Sequence, residues 1–116
     1  MKLEILLAML FMHIVGDFNL QGILAQFKQK SYWKVNAPEE MYKKDYIAAL
    51  GIHGFSWAFV VILPLYLFGN LHGVWLCASI LLMGVTHAIV DHAKANQKKI
   101  NLLQDQLVHV CQIVLL

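Results

Sequence analysis

Apolar residues fall along this chain in four blocks, at about residues 3–27, 46–69, 71–93 and 101–116. Strict alternation of apolar and polar positions is scarce, so helices are expected rather than a barrel. A helix needs roughly 20 residues to cross a bilayer core of about 30 Å, and the first three blocks reach that length. The fourth is shorter, about 24 Å at roughly 1.5 Å per residue, and closes on "QIVLL". Backbone groups in lipid must be satisfied within their own segment, which again selects helices. Pro64 lies inside the second block and is expected to kink it rather than end it. "FGNLHG", residues 68–73, reads as the turn into the third block. The expected fold is all-α. It is one domain over residues 1–116, a four-helix transmembrane bundle interrupted by a polar loop at about 28–45.

Composition fits lipid as the solvent. Only 14% of the residues are charged, about half the roughly 25% typical of a soluble domain. The net charge of +2 comes without a basic, aromatic-interleaved stripe, which argues against nucleic acid. Lys2 ahead of an apolar stretch suggests a signal peptide, but Glu4, the lack of an A-x-A site and the presence of His13 and Asp17 favour a retained span. Cys77 and Cys111 lack metal-ligand spacing and are expected as buried free thiols.

Arginine is absent, so the lysines carry the topology signal. Lys28, Lys30, Lys34, Lys43 and Lys44 lie in the loop, and Lys94, Lys98 and Lys99 follow the third block. The opposite side holds Lys2 alone. This bias places both lysine-bearing loops in the cytoplasm and both termini on the non-cytoplasmic side.

Three of the four aspartates lie inside the apolar blocks, each with a histidine four residues away. The pairs are His13 with Asp17, His87 with Asp91, and Asp105 with His109, and such positions share a helix face. Gln21 extends the first face and Lys94 the third, while the second block offers His53 with Trp57 beside it. Counted from the cytoplasmic edges, most of these residues lie within roughly 6–15 Å of one boundary. His13 falls deeper and Asp91 shallower, at the periphery of the layer. His72 belongs to the turn and His92 faces away from His87. Tyr32 and Trp33 suit interfacial anchors.

An aspartate at the centre of a membrane helix costs about 2.5–3.5 kcal/mol, so three need partners. A divalent metal held by imidazole and carboxylate would compensate them, with Zn, Mn or Fe as candidates. The expected ligands are His53, His87, His109 and Asp105, with His13 and Asp91 as outlying members. Four histidines and three aspartates suit either one ion with supporting carboxylates or two ions.

"HIVGDFNLQ", "THAIVDHAK" and "DQLVH" resemble a family of small bacterial and phage integral membrane proteins classed as a domain of unknown function. The family pattern, H-x3-D-F-x2-Q, an isolated His, T-H-x3-D-x2-K and D-Q-x2-H, falls here on His13, Asp17, Phe18, Gln21, His53, Thr86, His87, Asp91, Lys94, Asp105, Gln106 and His109. The resemblance spans nearly the whole chain and implies a bacterial inner (cytoplasmic) membrane protein. It implies no activity.

The expected function is a membrane-embedded, metal-dependent hydrolase of a lipid or lipid-linked phosphate at the cytoplasmic leaflet. Asp17 is the expected further ligand or general base and Gln21 its catalytic neighbour. Lys28 and Lys94 are expected at the mouth to hold an anionic head group, with Gln106 orienting substrate. No H-E-x-x-H or G-x-S-x-G motif points to other hydrolases. A proton or metal-ion transporter is the alternative. A bis-histidine haem protein and a membrane scaffold rank lower. The expected partners are the bilayer and an anionic lipid, an oligomer is compatible, and nucleic acid is not expected.

Overall fold

The computed structural model describes residues 2–116, and those residues are all-helical with no strand. Helix α1 (Leu3–Ile14) runs directly into a π-helical turn (Val15–Asn19). Two short helices follow, α2 (Leu24–Phe27) and α3 (Lys30–Asn36), then a 3-10 turn (Glu40–Tyr42). The remaining helices are α4 (Asp45–Phe68), α5 (Gly73–Ala95) and α6 (Leu102–Val114). Two stretches, Glu40–Phe68 and Gly73–Ala95, are long and apolar enough to cross a membrane. At 12 and 13 residues, α1 and α6 fall short of that length.

The first apolar block therefore does not form the unbroken helix expected over 3–27. Leu20 N–H bonds to the Val15 carbonyl at 2.8 Å, closing the widened turn. Gly22 then adopts a φ of +54°, a left-handed backbone that glycine tolerates without a side-chain clash. Nor is 28–45 simply a loop. The Trp33 indole donates to the Phe27 carbonyl at 2.7 Å, tying α3 back onto α2. Helix α4 passes through buried Pro64 without ending, and α6 starts on a capping box. In that box the Asn101 side chain accepts from Gln104 N–H, and the Gln104 side chain accepts from Asn101 N–H.

The two long helices pack against each other most extensively. Their closest approach uses glycine: a Cβ at Gly54 would lie 2.6 Å from the Gly84 carbonyl oxygen. Each principal helix turns one stripe of residues inward at four-residue spacing. The stripes are Ile5, Met9, His13 and Asp17; His53, Trp57 and Val61; Met83, His87 and Asp91; and Asp105, His109 and Ile113. The polar part is C-terminal in the first and third and N-terminal in the second and fourth. Because the helices alternate in direction, all four polar parts meet at one end of the bundle. At the other end Ile5, Met9, Trp57, Val61, Ile62, Met83 and Ile113 close a common apolar core.

The outer surface is apolar as well. Leu3, Leu7, Phe11 and Ile14 on α1, Phe18 on the π-helical turn, and Trp75, Leu82 and Ile89 on α5, are each more than half exposed. Cys77 and Cys111 are free thiols, but both lie on exposed faces rather than buried.

Candidate metal centre

Asp91 sits at the middle of the polar end and is 1% exposed. Its Oδ2 faces Lys28 Nζ at 2.9 Å, His53 Nε2 at 3.3 Å and His87 Nε2 at 3.5 Å. Its Oδ1 faces His109 Nε2 at 3.6 Å. The depth expected from sequence placed this residue at the periphery, yet it is the hub. Helix α5 reaches further past the layer than block boundaries suggest, and its last turns cross toward α6 and the segment carrying Lys28.

Asp17 is held by the π-helical turn. Its Oδ1 lies 3.1 Å from His53 Nε2 and 3.5 Å from His87 Nε2, and its Oδ2 accepts from Gln106 Nε2 at 2.8 Å. Gln106 also donates to Asp105 Oδ2 at 3.0 Å, so its amide clamps two carboxylates. Asp105 Oδ1 in turn lies 3.2 Å from His109 Nε2. The within-helix pairs His87–Asp91 and Asp105–His109 thus face each other, whereas His13 and Asp17 are joined through Gln106.

His13 has both ring nitrogens engaged. Trp57 Nε1 donates to its Nδ1 at 2.9 Å, which leaves Nε2 as the donor to Gln106 Oε1 at 2.8 Å. In that tautomer His13 supports the cluster and has no lone pair free for an ion. His109 is set the opposite way. Its Nδ1 meets Gln112 Oε1 at 2.8 Å, Gln112 donates to Thr86 Oγ1, and Thr86 donates to the Leu82 carbonyl at 2.8 Å. With Nδ1 as the donor, the lone pair of His109 Nε2 is aimed into the carboxylates. The His87 ring is stacked between Trp57 and His109, with centroids at 4.1 and 3.9 Å.

Among the described residues, four buried side-chain atoms have no hydrogen-bond partner: His87 Nδ1 and Nε2, His109 Nε2 and Asp105 Oδ1. Three of them point at carboxylate or imidazole acceptors across 3.2–3.6 Å gaps. Facing lone pairs repel unless a cation or proton stands between them, and such orphaned groups are rare in native interiors. One ligand atom from each of Asp17, His53, His87 and Asp91 lies within 4.8 Å of the others, and the same holds for Asp17, Asp105 and His109. Ligands about 2.0–2.1 Å from a tetrahedral zinc stand about 3.3 Å apart, close to the separations found here.

The lysines divide. Lys28, expected at an open mouth, is buried at 7% exposure with its ammonium on Asp91 and on the Gln21 side-chain oxygen. The break at Gly22 turns the chain inward here, and the buried carboxylate draws the charge after it. Gln21, expected beside the reacting atoms, instead holds Lys28 and donates to the Asp17 backbone carbonyl at 3.1 Å. Lys94 stays at the rim, 3.8 Å from Asp105 Oδ2. Asn96, which sequence reasoning passed over, clips the Lys28 segment to the end of α5. Its Nδ2 donates to the Lys28 carbonyl at 2.9 Å, and its Oδ1 accepts from Lys30 N–H at 2.6 Å. Gln112 was missed too, though its position three residues after His109 on one helix face was a usable signal. His92 stacks on Tyr46 and His72 meets Tyr66 edge to face, both outside the cluster.

The family described as "Protein of unknown function (DUF3307)" matches residues 5–116. The chain belongs to that family. The matched span contains every residue of the cluster, so the centre lies wholly within DUF3307 rather than in an added segment. No curated relative and no solved structure matches the chain.

Proposed function

We propose that this chain is a four-span integral membrane protein of the bacterial inner membrane that holds a divalent metal at its lysine-rich, cytoplasmic end. In this reading it hydrolyses a lipid or lipid-linked phosphate. The observation that carries the metal is the set of orphaned atoms His87 Nε2, His109 Nε2 and Asp105 Oδ1, where imidazole and carboxylate face each other across gaps of ion-coordinating size. A proton fills one such gap, whereas a divalent ion fills several at once. Asp17, His53, His87 and Asp91 form one donor set, and Asp17, Asp105 and His109 an adjacent one, so a second ion would share Asp17. The mixed imidazole and carboxylate donors suit Zn, Mn or Fe.

Inverted polarity supports the membrane reading. Charges are buried and large apolar side chains cover the outside, as lipid requires. The short α1 and α6 then span with the help of their flanking turns, and both termini lie on the non-cytoplasmic side.

Charge supports an anionic substrate. Three carboxylates against Lys28 and Lys94 leave one net negative charge with neutral histidines, and one divalent ion reverses its sign. Lys28 shares Asp91 Oδ2 with His53 and His87, so were a divalent ion held by these residues, the ammonium would be less needed by Asp91 and available to an anionic head group. A divalent ion supplies Lewis acidity toward a phosphoryl oxygen and acidifies water. Water oxygen bonds to phosphorus as the ester P–O bond breaks. With a single ion bound, the Asp17 oxygen not held by it would take the water proton, which passes on to the departing alkoxide.

Transport is less favoured, because Ile5, Met9, Val61, Ile62 and Ile113 close the bundle beyond the cluster without a polar path. The 3.9 Å stack of His87 on His109 leaves no slot for a haem between them.

Elemental analysis and an absorption spectrum of detergent-purified protein test the metal. Stoichiometric Zn, Mn or Fe without a Soret band is expected, lost in a His87→Ala/His109→Ala double variant. No metal in wild type, with normal stability of the double variant, overturns it. Phosphate release from phosphatidic acid in mixed micelles, abolished in Asp17→Asn, tests the hydrolase. Metal-loaded protein that releases none from this lipid phosphate counts against the substrate class.

A further inference from the structure

The lysine-rich segment between α2 and α4 is folded, and it encloses a cavity of about 460 Å³ that shares no residue with the metal cluster. Lys30, Lys34, Lys43 and Lys44 line it, opposed by Glu39 and Glu40 alone, so its walls carry an excess of positive charge. One of those acids is already engaged, with Glu40 Oε1 3.7 Å from Lys43 Nζ. Trp33 adds an amphipathic wall, and Lys30 lies over the Tyr46 ring, 5.0 Å from its centroid. Volume and lining suit a small anionic group.

Tyr46 and Ile47 also line a second cavity, of about 410 Å³, between α4 and α5. Beyond them its walls are Leu50, Phe55, Val85, Ala88 and Ile89, a largely apolar groove with His92 as its one further polar side chain. Ile47 and Ile89 are 51% and 63% exposed, so the groove opens on the outer face where acyl chains would lie. Gly51 lines it too, with nothing within 4 Å of where a Cβ would stand. A cationic cavity and an apolar groove that share a wall have the form of an amphiphile with an anionic head. A free phosphate would use the first and leave the second without a purpose.

We propose that these joined cavities bind one anionic phospholipid of the surrounding bilayer, with its phosphate among Lys30, Lys34, Lys43 and Lys44 and one acyl chain along the α4–α5 groove. The inference rests on the membrane reading above and is independent of the metal. Polybasic juxtamembrane segments attract anionic lipid, and the groove adds a place for the chain that a bare charge run lacks.

Native mass spectrometry of full-length protein released from micelles with equal phosphatidylglycerol and phosphatidylcholine tests it. One phosphatidylglycerol is expected to be retained in preference. Lys30→Gln/Lys34→Gln should lower that retention about thirtyfold with the metal content unchanged. Gly51→Leu, which fills the groove from an open position, should lower it while the thermal unfolding midpoint holds. Equal retention of both lipids overturns the inference, as does unchanged retention in both variants. Displacement by inorganic phosphate, with Gly51→Leu inert, would mark a soluble-anion site and also overturn it. Protein that leaves the membrane fraction without detergent fails the membrane reading itself. Membrane-bound protein with no lipid preference fails this inference alone.

Discussion

The two ends of the bundle are equally buried but differ in what completes them. At the apolar end Met9, Val61, Ile62 and Ile113 are at most 1% exposed, and contact between their side chains is sufficient. At the polar end His53, His87, Asp91, Asp105 and His109 are as deeply enclosed, yet four of the end's buried polar atoms lack a partner. Dispersion and burial do not depend on matched donors and acceptors, so an apolar end closes on itself. A polar end must balance every charge and lone pair, and here three carboxylates outnumber the two lysines that reach them. The apolar end closes on itself, whereas the polar end is left with unpartnered atoms and, with neutral histidines, an excess of negative charge, which the proposed metal would offset.

The largest effect is expected at Asp91. Asp91→Asn removes the carboxylate under Lys28 and leaves a buried ammonium uncompensated, a loss of about 3–5 kcal/mol. Chemical denaturation in detergent should show it, with partial recovery on adding Lys28→Met. Ile113→Ala at the other end should cost about 2–5 kcal/mol through its cavity and leave the metal-to-protein ratio untouched. If Ile113→Ala strips the metal as His87→Ala/His109→Ala does, the two ends are not separable. Gly54→Ala drives a Cβ against the Gly84 carbonyl and should cost about 1–3 kcal/mol by overpacking. A matching fall in α4–α5 cross-linking yield would tie that loss to the helix contact. An effect of similar size is expected from Trp57→Phe. It keeps a ring on His87 but removes the donor to His13 Nδ1, at about 1–3 kcal/mol. Metal content should hold, because His13 acts through Gln106 and not as a ligand.

Much of the polar end was legible because helix periodicity is local. Histidine and aspartate four residues apart share a face whatever else the fold does, which singled out His87, Asp91, Asp105 and His109. The level of the layer followed from alternating helix direction. What was misjudged depended on contacts between helices. Asp91 is the hub because α5 runs beside both α6 and the Lys28 segment, and no count along one helix shows that. Lys28 looked like a mouth residue because its charge reads as a topology signal. Only the turn through Gly22 and the clip from Asn96 bring it inside. His13 looked like a ligand until Trp57 and Gln106 were seen to occupy both its nitrogens.

By itself the sequence determined the helical class, the apolar exterior, the family, and which side chains must be reconciled with a low-dielectric interior. Those follow from composition and from spacing within single helices. The tertiary structure decided which nitrogens are spent and which are free, which carboxylate is central, and that the polar layer is sealed on its apolar side. Hydrogen-bond partners and charge balance arise between segments far apart in the chain, and only their packing fixes them.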